Sequence, residues 1–189
     1  IDVWGTPWND QAAIIQRAAK SLAGIGATLV VKPNPKSKYE MNARLNQVVS
    51  STPNVLALPH ATPMAEVFPH ATLVLAVTGT VLMECIFSGK PVASLGDHVM
   101  TQYPGVTAIN DPEALGPTLM AATRGELPTS SMQQARTLLQ NLHTQSYAAA
   151  IWDPVAQPQF GTPEVLEALT DAFSHVLALH APAAPVAPR

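Results

Sequence analysis

The sequence has few of the residues on which several common protein classes depend. Cys85 is the single cysteine among 189 residues, which excludes a disulfide within the chain and a cysteine-based structural zinc site. We predict that it is a small core residue rather than a reactive thiol. Only 10 lysines and arginines stand against 13 acidic residues, so the chain lacks the basic surface that nucleic-acid binding requires. We therefore predict a cytoplasmic protein without nucleic acid among its partners.

Long apolar runs and the usual ligand-binding signatures are also missing. No apolar run reaches the ~18 residues of a membrane span, and we expect neither a transmembrane segment nor a secretory leader. Gly-x-Gly-x-x-Gly and Gly-x-Ser-x-Gly are absent, and Gly89-Lys90 is followed by proline rather than by the residues of a phosphate loop. Without an Asp-x-Asp pair or a metal-ligand spacing of histidines and carboxylates, we predict no metal site.

Short apolar segments alternate with helical ones along the chain, whose apolar content of 47% is sufficient for one domain core. The pattern predicts strands at 27–31, 55–58, 72–77, 91–95 and 106–109, and helices at 9–22, 39–49, 63–68, 80–87 and from 111 onward. This alternation predicts an α/β fold with a doubly wound, Rossmann-like parallel sheet, whose ligands bind beyond the carboxyl ends of the strands. The continuous apolar run at 27–31 further predicts a strand covered on both faces.

The last part of the sequence has a different character. Helices are predicted over 129–150, capped by Ser130 or Ser131, and from Thr162 to about Leu179. The end of the chain alternates alanine with proline and is predicted to be disordered. We therefore predict a single Rossmann-like domain over 1–150, a helical extension over 151–180 and a disordered tail over 181–189.

The most informative segment is Thr78-Gly79-Thr80, which joins a predicted strand to a helix that carries Glu84 one turn further on. A helix start presents unpaired backbone N–H groups and a partial positive charge to an anion. Gly79 would let a phosphate approach closely, the threonine hydroxyls would add donors, and Glu84 would accept hydrogen bonds from a ribose diol. The simpler alternative is an ordinary helix in which Thr80 is the N-cap and Glu84 lies in the first turn.

Three further polar residues follow predicted strands and are expected at the same edge of the sheet. Lys32 ends the first strand, where its ammonium group would complement a diphosphate or a sugar carboxylate. Asn34 lies between two prolines that restrict the backbone on both sides. His60 follows the second strand and would contact a base or a phosphate. The alternatives are solvated loop residues for Lys32 and His60, and a simple turn at Asn34.

Three ordered segments carry a resemblance to a known family: Val30-Val31-Lys32-Pro33-Asn34-Pro35, Thr78-Gly79-Thr80-Val81-Leu82-Met83-Glu84 and Ser88-Gly89-Lys90-Pro91-Val92-Ala93-Ser94-Leu95-Gly96. Together they resemble the carboxy-terminal nucleotide-binding half of GT-B glycosyltransferases, especially the capsule polysaccharide biosynthesis group that includes Kdo transferases. The resemblance extends over about residues 8–125. It assigns Thr78, Gly79 and Thr80 to the phosphates and Glu84 to the ribose of a CMP- or UDP-linked sugar. It implies no other cofactor and no metal.

The same resemblance implies an enzyme of bacterial capsule or surface polysaccharide synthesis, cytoplasmic and in peripheral contact with the inner face of the inner membrane. In that family two Rossmann-like halves enclose the active site. The acceptor half, which commonly supplies the catalytic base, would precede Ile1, where this chain starts without a methionine. We therefore expect part of a longer protein, assign no catalytic residue to this chain and expect it to be inactive alone.

One departure from the family pattern leaves the activity open. Family members often carry Lys-Pro-His-Pro where this chain has Lys32-Pro33-Asn34-Pro35, so a neutral amide replaces an imidazole that can be protonated. Two alternatives to a glycosyltransferase therefore remain. One is an enzyme like the UDP-sugar 2-epimerases, and the other is a non-catalytic assembly module that retains the half-fold.

Overall fold

A computed structural model describes residues 7–33, 42–77, 79–97, 99–147 and 161–180 of the chain. The chain divides into two compact units, Ile1–Thr137 and Leu138–Arg189. The domain boundary predicted at residue 150 and the disordered tail predicted for 181–189 lie outside the described residues.

The first unit alternates short parallel strands with helices. The described strands are β1 (Leu29–Val31), β2 (Val55–Ala57), β3 (Val74–Ala76), β4 (Val92–Leu95) and β5 (Val106–Ile109). The helices are α1 (Gln11–Ala23), α2 (Ala43–Ser51), α3 (Met64–Val67), α4 (Val81–Ser88), α5 (Leu115–Thr123) and the start of α6 (Met132–Gln145). Short 3-10 segments occur at Phe68–His70, Val99–Gln102 and Pro112–Ala114. Each predicted strand is confirmed in place, although all but β5 are shorter than the apolar run that predicts them.

Two helix ends show how local polar groups set the boundaries. The α1 N-cap is Asp10, whose carboxylate accepts a hydrogen bond from the Ala13 amide at 3.1 Å. Ser131 starts α6 with a reciprocal pair: its hydroxyl accepts from the Gln134 amide, and the Gln134 side chain accepts from the Ser131 amide. The cap at Ser131 confirms the sequence prediction, which names Ser130 or Ser131.

The far end of α6 corrects the prediction that the helix runs to residue 150. The helix ends at Gln145, and the two described residues that follow are not helical. The Ser146 hydroxyl donates to the Leu142 carbonyl, which a continuing helix would pair with a backbone amide. Serine side chains compete with the helical backbone in this way.

The strands form two small parallel sheets. β1 pairs with β2 in the register Leu29 to Val55, and the second sheet has the order β3-β4-β5. The predicted α/β class and the parallel strands are therefore confirmed. The single doubly wound sheet stays a prediction, since the described ladders do not join β1 to β3.

One face of the β1–β2 sheet packs against α1 and α2. The inward side chains include Leu29, Val31 and Val55, which contact a buried cluster of residues from the two helices: Ala12, Ile15, Leu45, Val48 and Val49. Val30 and its register partner Leu56 point the other way and are 43% and 53% exposed. The prediction that β1 is covered on both faces is therefore wrong.

The main core lies where α1 and α5 cover β4 and β5. It contains residues from all four elements and one from the preceding loop: Trp8, Ala18, Leu22, Ala93, Leu95, Ile109, Leu115 and Leu119. All four residues of β4 are buried, as expected for a strand that is central in its sheet. Leu29 of β1 and Leu75 of β3 also pack against this cluster, so both sheets contribute to one core.

The second unit contains the last turns of α6 and the helix α7 (Pro163–His180). α7 starts beside the predicted Thr162-Pro163 pair and has no buried residue over its 18 positions. The rings of Tyr147 and His175 lie 5.6 Å apart between centroids and are tilted by 59°. No helix in the described ranges combines the length and the apolar character needed to cross a bilayer.

Candidate functional site

The start of α4, directly after β3, is the centre of the candidate site. Gly79 is exposed and has a φ of +114°, a conformation that favours glycine over residues with a side chain. A Cβ atom added there would have no neighbour within 4 Å, so the space beside this backbone is open. An anion could therefore approach the chain closely at Gly79.

Thr80 occupies the N-cap position of α4, but its side chain does not cap the helix. Its hydroxyl lies 3.4 Å from the Glu84 carboxylate oxygen Oε1 instead. By contrast, Asp10 and Asn42 cap α1 and α2 with side-chain hydrogen bonds to backbone amides. The simpler alternative is therefore confirmed in position, since Thr80 is at the N-cap and Glu84 lies in the first turn, but the Thr80 side chain makes no capping hydrogen bond. Among the described residues no side chain caps the first turn of α4, and the Thr80 hydroxyl and the Glu84 carboxylate form an exposed polar pair.

Lys32 and His60 lie together at the carboxyl ends of β1 and β2. The Lys32 ammonium donates to the His60 carbonyl at 3.2 Å and to the Pro33 carbonyl at 3.3 Å. An ammonium group has three donors, so with respect to the described residues one remains for another acceptor. Lys32 contacts only the backbone carbonyl of His60, and His60 is exposed. Lys32 thus links the loop that follows β1 to the loop that follows β2.

The remaining predicted site residues, Thr78 and Asn34, lie outside the described residues. Among the described residues, no hydrogen bond or ion pair links Lys32 or His60 to the start of α4. The structure therefore brings the predicted residues together as two groups, one at the end of each sheet.

Two residues with no predicted role lie at the carboxyl ends of β3 and β4. Ser94, in β4, places its hydroxyl 3.3 Å from the Val77 carbonyl and 3.2 Å from the Gly96 carbonyl. Trp8, which is 2% exposed, packs beside Gly96, where an added Cβ atom would lie 3.5 Å from Trp8 Cδ1. A polar residue in an otherwise apolar strand was the sequence signal that could have identified Ser94.

An open depression of about 730 Å³ lies elsewhere, between α2 and β2. It is lined by small, apolar and amide side chains and includes none of the predicted site residues: Ala43, Asn46, Gln47, Val49, Ser50, Val55 and Ala57. It is wide open and carries no charged group that would bind a phosphate. We therefore place the candidate site at the start of α4, where the exposed donors are.

Cys85 lies one residue beyond Glu84 and faces the core, with 0% exposure. Burial raises the pKa of its thiol to about 12 from 9.0, and the negative charge of Glu84 adds to this effect. The thiol is therefore protonated at neutral pH, which confirms the prediction of a core residue.

This burial makes Cys85 a reporter of unfolding. At pH 8 we expect the native thiol to resist Ellman's reagent, since its thiolate fraction is about a thousandfold below that of an unfolded cysteine. The thiol should react fully in urea. Because the unfolded thiol ionises near 9.0 and the folded one near 12, the free energy of unfolding should fall as the pH rises between these values. Rapid reaction of the native protein would contradict the buried position.

Among the described residues, no group of three His, Cys, Asp or Glu side chains is arranged to hold a metal ion. In the comparison with known proteins, no family model and no curated protein matches the chain.

Proposed function

We propose that the chain is the donor-nucleotide-binding domain of a bacterial glycosyltransferase that makes capsule or other surface polysaccharide. The observation that carries this proposal is the start of α4. There Gly79 leaves open space, the Thr80 side chain does not cap the helix, and the Thr80–Glu84 pair is exposed. These features provide donors for a phosphate and a carboxylate for a sugar diol.

The finer fold assignment belongs to the same proposal. Both sheets are parallel, and β1 and β3 contribute Leu29 and Leu75 to one core cluster. This shared core supports a doubly wound, Rossmann-like layer in which β1 and β3 are neighbours. Ligands of such layers bind at the carboxyl ends of the strands, which is where Gly79 and Lys32 lie.

In this proposal the domain binds and activates the donor electrostatically. The backbone amides at the start of α4 would hold the diphosphate or monophosphate of the nucleotide sugar, and Glu84 would accept hydrogen bonds from the ribose. The same amides would stabilise the negative charge that develops on the departing phosphate as the glycosyl bond breaks. The third donor of Lys32 would add to this field. The catalytic base would come from an acceptor half in the full-length protein.

The direct test is calorimetric titration of this chain with CMP, CDP and UDP. We expect at least one of them to bind with a submillimolar dissociation constant. Its 2′-deoxy counterpart should bind more weakly, because it lacks one of the two ribose hydroxyls. Absence of binding by every nucleotide at millimolar concentration would refute the proposal.

The role of Glu84 gives a sharper form of this test. We expect Glu84→Gln to weaken binding of the preferred ribonucleotide about tenfold and to remove the discrimination against the 2′-deoxy form, since an amide is a poorer acceptor than a carboxylate. Glu66→Gln makes the same chemical change in the first turn of α3 and should leave both affinities unchanged. Equal effects of the two substitutions would argue against a ribose contact at Glu84.

A further inference from the structure

Ser94 is a fully buried polar residue inside an otherwise apolar strand. β4 has the sequence Val-Ala-Ser-Leu, and Ser94 is 0% exposed. Its oxygen lies 3.3 Å from the Val77 carbonyl oxygen and 3.2 Å from the Gly96 carbonyl oxygen. A hydroxyl has a single proton, so the two carbonyls share it or receive it in turn. The side chain thus links two separate points of the backbone.

These two points are where neighbouring strands leave the sheet. The ladder between β3 and β4 ends with Ala76 opposite Ser94, and Val77 is the next residue of the chain. The hydroxyl therefore supplies a donor one residue beyond the last backbone pair. Gly96 is also held from the other side, because its amide donates to the Ile109 carbonyl at 3.0 Å. The Ser94 hydroxyl therefore connects the Val77 carbonyl to Gly96, a residue that is itself hydrogen-bonded to β5.

We propose that Ser94 is a positioning residue that sets the nucleotide affinity of the α4 start, because Val77 lies two residues before Gly79 in the chain. This inference rests on the proposed function. Backbone donors stabilise a phosphate effectively only when they are held in place before the ligand arrives. Without the hydroxyl, the Val77 carbonyl would have no donor from β4, and the backbone that follows it would lose a restraint.

The chain offers a matched control for this idea. Ser130 is the other buried polar side chain of the described residues, at 7% exposure, and its hydroxyl donates to the Pro104 carbonyl. Ser94→Ala and Ser130→Ala each remove one buried hydroxyl bonded to a backbone carbonyl. We expect both variants to lower the urea midpoint of unfolding by similar amounts. We expect only Ser94→Ala to weaken binding of the preferred nucleotide, by about tenfold.

A measurement without ligand separates this inference from the proposed function. In ¹⁵N relaxation experiments we expect the order parameters of Gly79 and Thr80 to fall from about 0.85 toward 0.6 in Ser94→Ala and to stay unchanged in Ser130→Ala. If the unaltered chain binds no nucleotide, the proposed function fails, while the order parameters still report on Ser94. Unchanged order parameters in Ser94→Ala would overturn the positioning role. If that variant does not fold, Ser94→Cys keeps the volume with a weaker donor and is judged by the same two readouts.

Discussion

Replacing Gly105 with alanine is expected to lower the free energy of unfolding by about 3 kcal/mol or more. Gly105 has a φ of +91°, and an added methyl group would lie 2.8 Å from the Thr129 carbonyl carbon and closer still to Ser130. The two Ser130 atoms nearest to this methyl group are its backbone nitrogen and its hydroxyl oxygen. They cannot easily move away, because the Ser130 hydroxyl donates to the Pro104 carbonyl. The methyl group would therefore separate the loop before β5 from the segment before α6. Such a loss is a large part of the total stability of a small domain.

Two other glycines separate the contribution of close packing from that of backbone conformation. Gly125 has a φ of +70° but no atom within 4 Å of an added methyl group. We therefore expect Gly125→Ala to lower the free energy of unfolding by only about 1 kcal/mol. Gly24 has a φ of −64° and equally open surroundings. Gly24→Ala should therefore raise the free energy of unfolding by about 0.5 kcal/mol, because alanine restricts the unfolded chain. Urea titration of the three variants measures the series, and a loss at Gly105 no larger than that at Gly125 would contradict the packing argument.

Truncation of Trp8 to alanine is expected to cost about 3–5 kcal/mol, the range for a large aromatic side chain in a core. Trp8 is 2% exposed and packs with residues of α1, β4 and β5, among them Leu22, Leu95 and Ile109. It closes the main core from the side of the loop before α1. Because it also packs beside Gly96, its loss should disturb the carboxyl end of β4.

Equilibrium unfolding in urea measures this effect, with Trp8→Phe as the variant that keeps part of the apolar volume. We expect Trp8→Phe to lose less than half of what Trp8→Ala loses. Phe87→Ala serves as the control, since Phe87 is 42% exposed and its truncation should cost little. A loss at Trp8 as small as the loss at Phe87 would show that Trp8 does not belong to the core.

Most of the secondary structure could be predicted because its signals are local. Apolar runs mark β1 to β5, and the caps at Asp10 and Ser131 are side chains that bond to amides within three residues of themselves. Such interactions depend on spacing along the chain and are visible in the sequence. The end of α6 was missed because a serine hydroxyl and a backbone amide compete for one carbonyl there.

The candidate site was predictable only in part. Gly79, Thr80 and Glu84 are contiguous in one strand-to-helix connection, so their proximity followed from the sequence. The hydrogen bond from Ser94 to Val77, just before that connection, joins residues that are distant in the chain. The pairing of Lys32 with the His60 backbone likewise depends on β1 and β2 being neighbours. No periodicity within one segment carries that information.

The sequence by itself determined the order and type of the elements, the parallel α/β class, the core position of Cys85 and the exposed polar start of α4. Each depends on short-range periodicity, local hydrogen bonds or the chemistry of a few adjacent residues. The tertiary structure alone decided that the strands form two small sheets, that Val30 and Leu56 stay exposed, and that Ser94 anchors Val77. These outcomes depend on which surfaces meet across long loops, and the apolar pattern of a single segment is the same whether or not another element covers it.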